Sequence, residues 1–303
     1  MEIKQIGKIP TDEELIKITT NTKCMPFRLC YEKGGGNVWH KLREEENYSN
    51  NDIGNRELTT LKRSLPKIKK FIKNEPINIL HIGPGDGIEI PELFSELKPK
   101  DNALYAGIDI SRTMLYNTKR IHQEQLLKTK TYWYQTDIET RKNLTLISKD
   151  AKNQGVKKNL VCLLGQGVIS SNEKSWQCIN DCLSVEDLFY LTIEGDCPEQ
   201  RDKICHSYDL PFVRDLISIG LEKVGYKTNK GNFKTEFNSK KSRIEVYFTS
   251  EKNEKILSLT SYKPTEKGLI ERLERQNFNI LYIKFYKDLH TFAVLCKKGR
   301  KNV

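Results

Sequence analysis

The stretch INILHIGPGDGIEI, residues 77–90, decides the fold. Its first half is a short apolar run ending at Ile82, typical of a strand that is buried on both faces. Gly83, Gly85 and Gly87 follow at once, and glycines in this place let the backbone turn into a helix and approach a ligand closely. The motif is neither a complete G-x-G-x-x-G nor a phosphate loop, because no G-K-[ST] follows.

Further apolar runs follow at the spacing of a parallel sheet. Each is followed by a stretch with helical periodicity, and this alternation predicts right-handed βαβ units. Two strands at 279–298 with a short turn between them predict a closing antiparallel hairpin. The predicted fold is therefore α/β, with a Rossmann-like, doubly wound, mostly parallel sheet, an antiparallel C-terminal hairpin and a smaller α+β lobe. The other predicted parallel strands are 103–111, 131–139, 159–167 and 187–196.

The alternation stops after Asp196, which divides the chain into a nucleotide-binding core and a lobe for the substrate. Residues 54–73 have the apolar periodicity of a helix, which Pro66 is expected to kink or split. The predicted core comprises 61–196 and 267–303, and the predicted substrate lobe comprises 1–60 and 197–266.

The composition is that of a globular chain with an excess of positive charge. The 303 residues contain 51 Lys and Arg against 40 Asp and Glu, a net charge of +11. Because the basic residues are spread along the chain, a solvated surface is favoured over a phosphate-binding face. No apolar run approaches the roughly 18 residues of a membrane span, and the N-terminal residues resemble no secretion signal. We therefore expect a cytoplasmic protein, and separately a monomer. The eight cysteines form no C-x-x-C pair, so we expect free thiols and no metal site.

Acidic and glycine residues close the predicted strands. Asp109 lies at the distance from the glycines at which an acid meets a ribose, with Ser111 in the same stretch. Asp137 is placed to accept a hydrogen bond from an adenine amino group while Ile138 packs on the ring, and Gly165 opens the backbone beside the ligand. Since parallel strands deliver their carboxyl ends to one edge of a sheet, these residues predict one adenosine-binding cleft.

Asp86, inside the glycine turn, indicates which of two classes of cofactor the chain binds. A dinucleotide places its pyrophosphate at a helix N-terminus, where a carboxylate would repel it. The same carboxylate suits the amino group or the sulfonium of S-adenosylmethionine. The turn residues predicted to bind this cofactor are Gly83, Gly85, Asp86 and Gly87.

Several blocks of sequence, in this order, resemble the histidine-specific methyltransferase family of ergothioneine biosynthesis. The resemblance implies a class I S-adenosylmethionine-dependent methyltransferase in which Tyr31 contacts the cofactor. It also implies that Tyr48 and Tyr208 are catalytic and accept hydrogen bonds from an amine, holding its lone pair toward the methyl group. The matching blocks are YEKGGG from Tyr31, the glycine turn, YAGIDIS through Asp109, DIE from Asp137, LGQGVIS ending at Ser170, SYD around Tyr208, SRIEV from Ser242 and SYKPT from Ser261.

The substrate-binding positions depart from this family. Ser170, or Asn172 two residues on, stands where the family has a histidine-binding asparagine. Leu259 stands where an acid contacts the imidazole, whereas Ser261 is retained. Histidine would lose polar partners on burial in such a pocket. The sequence therefore predicts N-methylation of another small amine or amino-acid derivative, without a metal.

Two alternatives stay open at this point. The net charge of +11 permits an RNA substrate, although the chain carries no appended RNA-binding module. The substitutions at Ser170 and Leu259 permit a protein that binds the cofactor without catalysis.

Overall fold

The computed structural model describes residues 2–31, 36–38, 53–73, 75–97, 102–126, 129–165 and 167–299. Two sheets organise this part of the chain, one of eight strands and one of three.

The large sheet has the strand order β1-β4-β3-β2-β5-β6-β11-β10. Strands β1 to β6 run parallel, and β11 pairs antiparallel with both β6 and β10. The order reverses between β2 and β5, which creates the crevice in which doubly wound sheets bind ligands. The strands are β1 (Ile3–Gln5), β2 (Asn78–Ile82), β3 (Leu104–Asp109), β4 (Lys130–Gln135), β5 (Asn159–Leu164), β6 (Leu188–Glu194), β10 (Phe278–Tyr286) and β11 (Thr291–Lys298).

Helices cover both faces of this sheet, which explains the continuous apolar runs. In β3, Leu104, Ala106 and Ile108 pack on one face, and Tyr105 packs on the other. The first face is covered by α6, α8 and α11, and the second by α2, α3 and α4. The helices are α2 (Ile53–Ile72), α3 (Ile90–Leu97), α4 (Arg112–Ile121), α6 (Arg141–Gln154), α8 (Glu173–Cys182) and α11 (Glu266–Arg275).

Helix α2 continues through Pro66, so the predicted split does not occur. The missing N–H of Pro66 leaves the carbonyl of Lys62 without its helical donor, but both residues are exposed, so the missing bond costs no burial of an unpaired carbonyl. Leu61, Leu65 and Ile68 are buried on the opposite face and hold the helix on the sheet.

The small sheet is antiparallel and has the order β7-β8-β9. Together with α1, α9 and α10 it encloses a separate apolar cluster that includes Leu15, Ile217 and Phe248. A parallel bridge between Cys24 and Leu257 ties the N-terminal segment to the edge of β9. These elements are α1 (Asp12–Thr22), α9 (Arg201–Tyr208), α10 (Pro211–Val224), β7 (Asn232–Asn238), β8 (Arg243–Thr249) and β9 (Lys255–Tyr262). The described ranges also include the short helices α5 (Gln123–Leu126) and α7 (Gly167–Ser170).

The predicted α/β class, with its mostly parallel sheet and antiparallel C-terminal hairpin, is confirmed. The placing of residues 1–60 in the substrate lobe needs one correction, because Ile3–Gln5 pairs with Trp133–Gln135 as an edge strand of the large sheet. The division into core and lobe otherwise stays a prediction. Within the described ranges, no helix combines the length and the apolar character that crossing a bilayer requires.

Candidate cofactor and substrate site

A cavity of about 880 Å³ lies at the carboxyl ends of β2 to β5. The large sheet and its glycine turns form one side, and residues of the N-terminal segment, α9 and the small sheet form the other. The volume falls within the usual range for small-molecule sites, about 300–1,000 Å³. This is the edge at which the acidic and glycine residues were predicted to meet.

The glycine turn after β2 has a backbone that other residues adopt with strain. Gly83 and Gly85 have φ values of +61° and +59°, in the left-handed region. The Gly83 N–H donates to the carbonyl of Ile108 at 2.8 Å, which joins the turn to the end of β3. Both glycines line the cavity and offer backbone without a Cβ.

Asp109, the last residue of β3, lies on the cavity wall. Its Oδ1 accepts the Ser111 N–H at 2.8 Å, and the Ser111 hydroxyl in turn accepts the Met114 N–H and caps α4. Burial raises the pKa of Asp109 to about 6, against the backbone hydrogen bonds of Ser111 and Ile110, which lower it. Burial therefore makes the ionised form of Asp109 less favourable in the cofactor-free protein, which is typical of a carboxylate that binds a ligand.

Asp137 follows β4 and is held by a residue that the sequence interpretation did not include. Arg28 donates to Asp137 Oδ2 at 2.6 Å and lies 3.9 Å from Glu139. Arg28 belongs to a short helix, Phe27–Cys30, anchored where Lys223 donates to the Leu29 carbonyl at 2.9 Å. The N-terminal segment therefore reaches the predicted adenine end of the cavity.

Most of the predicted site residues line this one cavity, although their individual roles stay predictions. Those of the predicted cofactor set are Tyr31, Gly83, Gly85, Asp109, Asp137, Ile138 and Gly165, and those of the predicted substrate set are Asn172, Tyr208, Leu259 and Ser261.

Four described residues of the predicted set are not among the lining residues. The Asp86 side chain accepts the Ile88 N–H within its own turn, and Gly87 lies against His122 and Thr118. Ser111 acts as the cap of α4, and Ser170 is fully buried. Tyr48 lies outside the described residues.

A polar cluster forms the substrate end of the cavity. Tyr208 on α9 donates to the hydroxyl of Ser261 on β9 at 2.9 Å. Lys263, just after β9, donates to both oxygens at 2.9 Å and pairs with Glu194 at the end of β6 at 2.8 Å. Burial works to lower the pKa of Lys263, but the Glu194 carboxylate and the Tyr208 oxygen together outweigh burial and hold that pKa above its ordinary value. The cluster connects the two sheets.

Arg28, Glu57 and Lys263 are lining residues that the sequence interpretation missed. A usable signal existed for Lys263, because it ends an apolar strand directly before Pro264, inside a block already matched to the family. For Arg28 and Glu57 no local pattern exists, since their places depend on how the N-terminal segment and α2 meet the sheet.

Comparison with known proteins identifies the cofactor. A sequence model described as "Histidine-specific methyltransferase, SAM-dependent" matches residues 12–266. Among curated proteins, none matches the sequence.

Solved structures with a similar fold include magnesium protoporphyrin IX methyltransferase from Synechocystis PCC 6803 with bound S-adenosylhomocysteine. It is 13% identical, with a TM-score of 0.50 over 89% of this chain and 96% of that one. The 1,6-didemethyltoxoflavin-N1-methyltransferase of Burkholderia thailandensis is 9% identical, with a TM-score of 0.43 over 79% of each chain. The first similarity concerns the fold. Because the family match spans most of the sequence, the chain belongs to the histidine-specific, S-adenosylmethionine-dependent methyltransferases.

Proposed function

We propose that the protein transfers the methyl group of S-adenosylmethionine to a nitrogen of a small amine or amino-acid derivative other than histidine. The observation that carries this proposal is a shared cavity that joins Asp109 and the glycine turn to the Tyr208–Ser261 cluster. A monomeric, cytoplasmic enzyme remains our expectation.

The lining residues fit the cofactor. Gly83 and Gly85 leave room beside the backbone for its methionine half, and Asp109 offers a charged acceptor to ribose hydroxyls. Asp137, with one oxygen held by Arg28, is the candidate acceptor for the adenine amino group. When bound, S-adenosylmethionine would supply the methyl group: the acceptor nitrogen would form a bond to that carbon as the carbon–sulfur bond breaks, which gives an N-methylammonium and S-adenosylhomocysteine.

The residues of the chain contribute in two ways: they align the acceptor nitrogen with the methyl group, and their charges favour a cationic cofactor. The Tyr208 oxygen accepts one hydrogen bond from Lys263, so its second lone pair is left for an N–H of the substrate. Among the described lining residues, six are acidic and four are basic, although the whole chain carries +11. This local excess of acid favours a cationic cofactor and an amine over the phosphates of RNA.

Leu259 supports a substrate other than histidine. It lines the cavity, and its apolar side chain has no acceptor for an imidazole N–H. Ser170 does not line the cavity, whereas Asn172 does, so Asn172 is the candidate for the family's substrate-binding asparagine and Leu259 is the residue that disfavours histidine. An imidazole placed there would bury a donor without a partner, which costs about 1–3 kcal/mol.

The test is methyl transfer from tritiated S-adenosylmethionine to a panel of amines that includes histidine, combined with calorimetric titration of S-adenosylhomocysteine. We expect cofactor product to bind and tritium to reach the nitrogen of at least one amine other than histidine. Binding of the cofactor product with no transfer to any amine would favour a non-catalytic protein. Transfer to histidine alone would refute the proposed specificity.

Cofactor affinity should depend on pH through Asp109. The pKa of its carboxyl is about 6, and hydrogen bonds from ribose favour the ionised form. The affinity for S-adenosylhomocysteine should therefore be at its maximum above about pH 7 and fall about tenfold for each pH unit below pH 6. Titrations of S-adenosylhomocysteine across this range measure the slope, and an unchanged affinity at pH 5 would contradict the role given to Asp109.

A further inference from the structure

Lys263 carries a buried ammonium that the proposed reaction does not explain. The residue is 2% exposed, in a position where a lone charge would be strongly unfavourable. Its three N–H groups meet three oxygens: Glu194 Oε2 at 2.8 Å, and Tyr208 OH and Ser261 Oγ at 2.9 Å each. With all its hydrogens used, Lys263 does not itself bind a substrate.

Hydrogen counting at Ser261 shows what Lys263 does instead. Lysine only donates, so both Tyr208 and Ser261 must accept from it. The Tyr208 hydroxyl therefore donates its only hydrogen to Ser261 Oγ, at 2.9 Å. Ser261 Oγ accepts twice, and among the described residues no atom accepts the hydroxyl hydrogen of Ser261.

That unused hydrogen belongs to a residue of the cavity wall. Ser261 and Leu259 are two apart on β9, so their side chains share a face, and both line the cavity. Ser261 Oγ lies 2.6 Å from where a Cβ of Gly167 would be, which brings the cluster beside the start of α7, shortly after β5. The wall therefore combines one donor with an apolar neighbour, next to the predicted cofactor site.

We infer that Lys263 is a positioning residue that fixes the Ser261 hydroxyl as a donor, so that the substrate end lodged beside Leu259 carries a hydrogen-bond acceptor without a hydrogen of its own. The inference rests on the proposed function and narrows its substrate class. A ring nitrogen with a lone pair, an ether or a carbonyl meets this condition. A phenyl ring leaves the Ser261 hydrogen unpaired, and an imidazole adds an N–H that Leu259 cannot accept.

The experiment compares matched ligands on the full chain saturated with S-adenosylhomocysteine. The isomeric pyridylalanines (ring nitrogen ortho, meta or para), L-phenylalanine and L-histidine are titrated calorimetrically at a mildly alkaline pH, at which the pyridine ring is neutral. We expect the best pyridylalanine to bind about tenfold more tightly than phenylalanine and more tightly than histidine. Phenylalanine binding as tightly as every pyridylalanine, or no binding by any of these ligands, would overturn the inference.

Variants separate positioning from folding. Ser261→Ala removes the donor, and we expect the preference to shrink to below about threefold with the affinity for S-adenosylhomocysteine unchanged. Lys263→Met combined with Glu194→Gln removes both charges together and frees the direction of the Tyr208–Ser261 bond, so it should reduce the preference in the same way. If Lys263 had a purely structural role, the double variant would keep the full ligand preference. A full preference in either variant would therefore refute the positioning role.

The outcomes for the reaction and for recognition are distinct. If a pyridylalanine binds as expected but receives no tritium on its amine, the proposed reaction fails while the recognition by Ser261 stands. If an amine is methylated but the ligand preference is absent, the reaction stands and the inference fails.

Discussion

Replacing Asp109 with asparagine should weaken the binding of S-adenosylhomocysteine about a hundredfold and, at the same time, stabilise the cofactor-free protein. The loss of affinity follows from removing a charged acceptor from ribose hydroxyls, since hydrogen bonds to charged groups contribute about 1.5–3 kcal/mol each. The Ser111 N–H, which Asp109 accepts at 2.8 Å, keeps an oxygen partner in the variant, so the local turn should persist.

The gain in stability follows from the sign of the pKa shift. The carboxyl has a pKa of about 6 in the folded chain against an ordinary value of 3.8, so ionisation costs folding free energy above the unfolded pKa. At neutral pH the full shift corresponds to about 3 kcal/mol, and partial solvent access reduces this to about 1–2 kcal/mol. Urea unfolding of the two proteins should show this difference at pH 7.5 and a smaller one at about pH 5.

Asp86→Asn is the matched control. It is the same substitution in the neighbouring glycine turn, at a residue that was predicted to bind the cofactor and does not line the cavity. We expect its affinity for S-adenosylhomocysteine to change less than about threefold. Equal losses for both variants would show that the cavity wall at Asp109 has no special part in binding.

The fold was predictable because its determinants are local. β2, β3, β5 and β6 are buried along nearly their whole length and are mostly apolar, since helices cover both faces of the sheet, and this pattern is visible in the sequence. β7 was not predicted, because Phe233 and Phe237 are its only apolar residues and polar or charged residues occupy its other positions. β1 escaped because three residues pair only with the edge of β4, which no local pattern shows.

A site residue was predictable only where its position depends on a single strand end. The end of β3 supplies Asp109 and the end of β2 supplies the glycines, and both follow from the order of the strands. Lys263 and Glu194 are far apart in the chain, and each alone resembles an ordinary charged residue near a strand end. Their contact exists because the end of β6 lies beside the segment that follows β9, where the Asp196 N–H donates to the carbonyl of Pro264 at 2.8 Å, and tertiary packing of that kind leaves no periodic signal.

The pair formed by Lys263 and Glu194 should respond unequally to the loss of either partner. Glu194→Gln leaves the buried ammonium without a countercharge, because among the described residues no other acid lies within 4 Å of it. We expect a loss of about 3 kcal/mol in unfolding free energy. Lys263→Met should cost less, about 1–2 kcal/mol, because the Glu194 side chain is 18% exposed and lies 3.6 Å from Arg56.

The double variant tests whether the two effects are coupled. Removing both charges leaves no buried ion, so the combined loss should fall short of the sum of the single losses by at least about 1.5 kcal/mol in urea unfolding. The exposed pair Lys267 and Glu271, 3.8 Å apart with side chains 87% and 60% exposed, supplies the control. The same substitutions there should each cost below about 0.5 kcal/mol with little coupling, because solvent screens the charges. Additive losses at Lys263 and Glu194 would mean that water reaches the cluster, which would also remove the fixed hydrogen-bond direction on which recognition by Ser261 depends.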